Sequence, residues 1–259
     1  MTTPPNDASD ALGPLIATLH ANRRPRVWSL IVTVFGDVAL PRGGELPLSR
    51  LQVLLGRIGV EAGTVRTALS RLGHDGWVER RRDGRSSVYH LSARAAAETQ
   101  AVLPLVYAPP QPSEVWGLHL GNRPDAHALE IGPMAWLAPA DPSQEAFLSN
   151  RVTRSVPRNV LRPEHAAALT LLERDLAALP PNATSAFDQI EAAAARILLI
   201  HRWRRYALRF PQPLPGADPR AGVAQAYQAL WNDSEAWFDG NADGLAPLPP
   251  QQAPQAKRF

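Results

Sequence analysis

The sequence predicts a multidomain α+β protein with an N-terminal winged helix-turn-helix and a C-terminal helical domain. Three observations carry this reading. Val65, Ala68, Leu69 and Leu72 recur at i, i+3, i+4 and i+7, the spacing of one buried helix face. Asp83-Gly84 then divides two strand-like runs, 77–82 and 85–91, which is a strong hairpin signal. Proline-rich punctuation at 104–113 separates this unit from a remainder dominated by long helical patterns.

The elements follow in order. Residues 1–21 read as a polar leader, expected to be disordered. A DNA-binding unit is expected over 22–103. Its first helix runs from about Arg26 to Val38, and Pro41-Arg42-Gly43-Gly44 makes a turn into a short strand at Glu45-Leu46-Pro47. The second helix, about Ser49 to Ile58, buries Leu51, Leu54, Leu55 and Ile58. Gly59-Val60 turns into the third helix, so the pair reads as helix-turn-helix. Gly73 and Gly76 end that helix, the hairpin follows, and a helix from Ser92 to about Val102 leads into the linker. A small middle domain is expected over 114–160, with strands at Val115 to Leu120 and Met134 to Leu137. The C-terminal helical domain, 161–240, holds helices from Pro163 to about Leu179, Thr184 to Leu208, and Asp218-Pro219 to about Trp231. The tail, 241–259, is rich in Pro, Gln and Ala and is expected to be disordered.

Charge sharpens the functional reading. The chain has 259 residues and a net charge of +3, with 27 basic and 24 acidic residues. Between Asn22 and Ala95 there are thirteen arginines against six acids, a local +7, which leaves −4 for the rest. A basic segment beside a mildly acidic remainder fits a polyanion-binding module. The outer face of the third helix carries Thr64, Arg66, Thr67, Ser70 and Arg71, residue types that reach base edges and phosphates. Arg80, Arg81, Arg82 and Arg85 flank the hairpin tip, where a wing meets phosphates or a narrow minor groove. A solvated charged face is the plainer account of both sets. Trp77 reads as an anchor at the base of the wing.

Other function classes recede. With no cysteine, disulfides, thiol catalysis and cysteine–zinc sites are excluded, and a reducing cytoplasm is compatible. The seven histidines show no metal-binding spacing, and neither a phosphate-binding glycine loop nor a nucleophile elbow occurs. No catalytic residue, metal or cofactor is therefore expected. No apolar run is long enough to span a membrane, so a cytoplasmic protein is expected.

Several motifs resemble the PaaX family of bacterial transcriptional repressors. They are Ser29-Leu30-Ile31-Val32-Thr33-Val34-Phe35-Gly36-Asp37, Pro41-Arg42-Gly43-Gly44, Val65 to Leu72, Asp75-Gly76-Trp77-Val78 and Gly84-Arg85-Ser86. A further match, to the family's C-terminal domain, runs from Leu198 to Arg205 with Leu208-Arg209 and Pro211. The resemblance implies a homodimeric repressor of aromatic-acid catabolic genes, such as those of phenylacetic acid. It also implies a double-stranded operator and release by an aryl-coenzyme A thioester. It implies a ferredoxin-like middle domain, similar to the Cas2 nucleases and here reduced.

Within the C-terminal match, His201, Arg202, Trp203, Arg204, Arg205 and Tyr206 are candidate effector-binding residues. A hydrogen-bonded core role is the plainer account of His201, which lies on the stripe of Ile197 and Leu198. Trp231, Trp237 and Phe238 are candidates for a dimer surface or for that domain's own core. Two alternatives remain open. One is a metal-dependent nuclease using the middle domain, although Gly121-Asn122-Arg123 puts no carboxylate at the end of the first strand and Asp125 is the nearest, which argues against it. The other is a winged helix that binds protein.

Overall fold

In a computed structural model, the described residues are 12–21, 26–84, 86–109, 115–125, 128–140, 148–151, 158–180, 186–211, 214, 218–241, 244–252 and 258–259. They form a mixed helix and sheet architecture with two small sheets. Helix α1 spans Gly13–Ala21 and α2 spans Val27–Val34. Helix α2 continues as a π-helical turn, Phe35–Ala39, and a 3-10 turn, Leu40–Arg42. Then come β1 (Glu45–Pro47), α3 (Leu48–Arg57), α4 (Ala62–His74), β2 (Val78–Asp83), β3 (Ser86–Leu91) and α5 (Ala93–Tyr107).

The first sheet is antiparallel in the order β1-β3-β2, so the hairpin's second strand zips onto β1. Val65, Ala68, Leu69 and Leu72 are buried, as the periodicity requires. Burying Val65, Leu69 and Leu72 contributes about 1.5–3 kcal/mol each. The turn between α3 and α4 needs Gly59, whose φ is 84°, a left-handed conformation that costs a side-chain-bearing residue strain. The hairpin closes with Asp83 opposite Ser86, and Gly84 has φ 57°.

The second sheet is antiparallel in the order β5-β6-β4-β7, from β4 (Val115–Leu120), β5 (Leu129–Gly132), β6 (Ala135–Pro139) and β7 (Leu148–Arg151). Strands β4 and β6 fall where the sequence places them. Strands β5 and β7 have no alternating pattern long enough to read in advance. The described residues between β4 and β7 include no helix.

Helices α6 (Pro163–Ala178), α7 (Gln189–Arg209) and α8 (Arg220–Asp239) complete the chain. Asp188 caps α7 reciprocally with Glu191, a capping box that fixes its start. Helix α7 is the centre of the molecule, packing against α1, α2, α3, α5, α6 and α8. Residues of α2 to α5 and of α6 to α8 therefore share one continuous apolar core.

Four local expectations change. Part of the polar leader is helix α1, because Leu12 and Leu15 are buried beside Ile16 at helical spacing; residues 1–11 lie outside the described set. Helix α5 runs through Pro104 to Tyr107 instead of stopping at a linker. Pro104 is exposed there, so the carbonyl it leaves unbonded can face water, while Val106 and Tyr107 are buried and hold the last turn. Helix α8 extends to Asp239, which buries Trp237 and Phe238 in the chain's own core and removes them from any dimer surface. The described tail is also packed: Leu248 is buried and its N–H donates to Phe238 O at 2.9 Å, and Gln252 N–H donates to Pro41 O at 2.8 Å.

Candidate nucleic-acid interface and the buried arginine network

Helix α4 and the hairpin both carry exposed cationic side chains. Thr64, Arg66, Thr67, Ser70 and Arg71 on α4 and Arg80, Arg81 and Arg82 on β2 are all exposed. Arg85 lies outside the described residues. The eight are not equivalent. Arg81 donates to Glu45 of β1 at 3.2 and 2.8 Å, and this contact holds the Glu45 carboxyl below the usual carboxylate range. Arg80 donates to Ser87 Oγ at 3.0 and 2.7 Å across the hairpin. Arg66, Arg71 and Arg82 hold no ion pair among the described residues.

A groove of about 540 Å³ runs beside α4, lined by Arg26, Trp28, Thr64, Thr67, Arg71 and Trp77 among others. Trp28 is 45% exposed. Sequence reasoning missed Arg26 and Trp28, because only the packing of α2 against α4 brings them alongside Thr64 and Thr67. Trp77 is half-buried against the core with Arg94 over its ring at 5.6 Å.

Three other arginines of this segment contact the C-terminal part of the chain. Arg42, 1% exposed, donates to Glu235 at 2.6 Å and Asp239 at 2.7 Å, both on α8. Arg50, also 1% exposed, donates to the carbonyls of Trp237 at 2.5 Å and Ala246 at 2.6 Å. Arg57 pairs with Glu191 of α7. The local +7 therefore overstates the charge offered to solvent.

Asp37 sits in the π-helical turn of α2 and is fully enclosed. Its carboxylate accepts from Arg196 Nε at 2.8 Å, Tyr107 OH at 2.5 Å, Tyr227 OH at 3.0 Å and Arg258 Nη1 at 3.1 Å. Burial pushes this carboxyl up, but Arg196 and Arg258 and the two phenols outweigh it and hold the pKa below its ordinary value. Arg196 also donates to Ser234 Oγ at 3.0 Å and Glu235 Oε1 at 2.6 Å, and its guanidinium lies 4.4 Å from the Trp231 ring centroid. The Gly36 carbonyl accepts from Arg258 Nη2 at 3.1 Å, and Pro41, five residues on, has no N–H to compete for it. Gly36 itself permits close packing, since a Cβ there would meet Thr99 Cγ2 at 3.2 Å.

The six candidate effector residues lie on several faces of α7. His201 is buried and its Nδ1 is 3.2 Å from Thr33 Oγ1. The Thr33 hydroxyl donates to Ser29 O at 2.9 Å, so His201 Nδ1–H donates to Thr33 Oγ1. Burial, with Arg204, Arg205 and Arg202 nearby, depresses this histidine to about 3. Arg202 pairs with Asp175 of α6. Trp203 is buried and donates to Val106 O at 2.6 Å. Arg204 donates to Ser29, Arg205 is exposed, and Tyr206 bonds His165 Nε2 at 2.9 Å. Consecutive helical residues thus face α2, α5 and α6 and do not converge on one pocket.

Among the described residues no three His, Asp or Glu side chains cluster as a metal site. No described helix is long and apolar enough to cross a membrane.

The comparisons with known proteins fall on the unit built from α2 to the start of α5. Residues 26–95 match the family model described as PaaX-like protein. The Transcriptional repressor PaaX of Escherichia coli (strain K12) is 40% identical over 85 residues, 33% of this chain. Those residues span only 27% of that curated relative's length. Over residues 26–95, the stretch that carries α4 and the hairpin, this chain is similar to the PaaX-like proteins.

Proposed function

We propose that this protein is a sequence-specific DNA-binding transcriptional repressor whose reading unit is a winged helix-turn-helix. The observation that carries the proposal is the exposed face of α4, where Arg66 and Arg71 stand without ion-pair partners beside a cationic hairpin. Helix α3 plays the supporting helix, α4 the recognition helix, and β2–β3 the wing. In this geometry α4 lies in the major groove, where Arg66 or Arg71 forms bidentate bonds to guanine and Thr64, Thr67 and Ser70 reach bases or phosphates. Arg80, Arg82 and Arg85 serve the backbone or the minor groove, and Arg26 extends the phosphate track along the adjacent groove. A single unit of this size reads a short site, so two copies on a two-fold operator are expected.

The finer reading comes from the likeness to PaaX: repression of aromatic-acid catabolic genes, relieved by an aryl-coenzyme A thioester. Such release requires the ligand to bind the free and DNA-bound states unequally. The test is selection of preferred duplexes from a random library, followed by titration of the best sequence and a scrambled control across salt concentrations. A selected motif with two-fold symmetry and a steep salt dependence supports the reading. Weak association, unaffected by salt and equal on both duplexes, favours a protein-binding winged helix. Retention of the selected duplex across a panel of aryl-coenzyme A esters removes the finer claim.

A further inference from the structure

The DNA-facing surface leaves one feature unused, a cleft of about 440 Å³ where α2, α5 and α7 meet. Its walls are mostly apolar, with Val32 from α2, Val102 and Val106 from α5, and Ile200 and Leu208 from α7. Leu208 is 38% exposed and Ala101 is exposed, so the cleft opens at that rim. A concave apolar site with few polar groups is the usual form of a small-molecule site.

One charge in this lining lacks a counter-charge. Arg204 donates through Nη2 to Ser29 O at 3.1 Å and Ser29 Oγ at 2.9 Å. Its Nε is buried with no hydrogen-bond partner, and no described carboxylate pairs with it. The contrast with its neighbours is sharp: Arg196 has Asp37 and Glu235, and Arg202 has Asp175. The two carboxylates in the cleft wall are committed elsewhere, Asp37 to Arg196 and Arg258, and Glu98 to Arg94. Burial accordingly works against the charged form of Arg204. Arg204 is half-buried, and a cation partly withdrawn from water is normally paired, because desolvation without compensation is costly.

We propose that this cleft binds a small apolar monocarboxylate, with its carboxylate on the Arg204 guanidinium and its hydrocarbon body among Val102, Val106 and Leu208. One cation in an apolar wall matches one negative charge on a short apolar body. A polyphosphate would meet Glu98 and no second unpaired cation there. Trp77 lines both this cleft and the groove beside α4, so an occupant touches a residue that also borders the DNA-facing surface. The site goes beyond the repressor reading, which does not call for the free acid as ligand.

Calorimetric titration of the full chain without DNA tests the site. The probes are octanoate and 3-phenylpropanoate, their primary amides, and their coenzyme A thioesters. One acid per chain is expected, with the matching amide and thioester each at least tenfold weaker. Arg204→Gln should weaken acid binding at least tenfold. Because Arg204 also holds Ser29, Val102→Trp provides a second variant that fills the half-buried rim and leaves Arg204 in place; it should abolish binding with the helical circular dichroism unchanged. No binding of either acid at millimolar concentration overturns the proposal. So does equal binding of acid and amide, tighter binding of the thioester, or full affinity in Val102→Trp. The duplex titrations above test the DNA reading separately, so either claim can fail alone.

Discussion

The arginines of α4 and the hairpin and the arginines facing α8 come from one stretch of chain, yet they do opposite work. Arg66, Arg71 and Arg82 are exposed and without ion pairs among the described residues. Arg42 and Arg50 are 1% exposed, and on α7 the partner helix contributes Arg196 at 0%. Only the second group is satisfied by carboxylates, carbonyls and aromatic faces. A cation kept in water loses little by lacking a partner, whereas a buried one must be compensated. Exposed arginines without ion pairs thus keep their charge in contact with solvent, and paired buried ones hold the helices together.

The largest expected effect lies in the buried set. Arg196→Met leaves Asp37 and Glu235 without their shared partner and should destabilise the fold by about 3–5 kcal/mol. Urea denaturation measures this. Arg66→Ala in the same assay should fall within about 0.5 kcal/mol of the wild type. Equal losses in the two variants would dissolve the distinction.

Acid should attack the same interior. The His201 ring is neutral when folded, with its pKa near 3, while the unfolded chain takes up that proton near 6.5. The folded state therefore binds fewer protons between these values. Its stability is full above pH 6.5 and falls as the pH drops toward 3. Asp37, also depressed, adds loss in the same direction at the acid end. By pH 5 the histidine contribution amounts to about 2 kcal/mol. His201→Asn should flatten the slope between pH 6.5 and 5, and an unchanged slope would place the titration elsewhere.

On the exposed side, Arg66→Ala or Arg71→Ala should cost about 1–3 kcal/mol of discrimination at one base pair of the selected duplex. Competition with singly substituted duplexes measures it, and unaltered preference in both variants would remove α4 from the base-reading role. The smallest effect separates two neighbours on β2. Arg82→Ala should lower the salt slope of DNA binding by about 1. Arg81→Ala should lower it less, because Glu45 already takes part of that charge. Equal changes would mean that the Glu45 contact yields to DNA.

Helices α3 and α4 and the hairpin were legible because their signals are local. The Val65–Leu72 stripe, the Gly59 turn and the Asp83-Gly84 turn each declare themselves within a few residues. The exposed residues of α4 follow from the same periodicity, since whatever faces away from the stripe faces out. The failures share an opposite cause. Leu12, Leu15, Val106 and Tyr107 are held by helices far along the chain, so the leader and the Pro104 segment look unstructured in isolation. Trp237 and Phe238 read as surface candidates only until α8 is seen packed on α7.

By itself the sequence determined the α2–β3 elements, the side of α4 that faces water, and the likeness to the PaaX-like proteins over residues 26–95. It also placed Asp37 at the end of a helix, without naming what surrounds it. The tertiary structure alone decided which arginines are buried, since Arg42 and Arg66 are the same residue type in the same charged segment. It decided that Arg196 and Arg258 meet one carboxylate 159 and 221 residues away in sequence. It also decided that Arg204 lines an apolar cleft without a counter-ion. The physical reason is the range of the forces: backbone propensity and periodicity act within a few turns. Desolvation acts through whatever packs against a residue, however distant in sequence, and a buried charge must be compensated there.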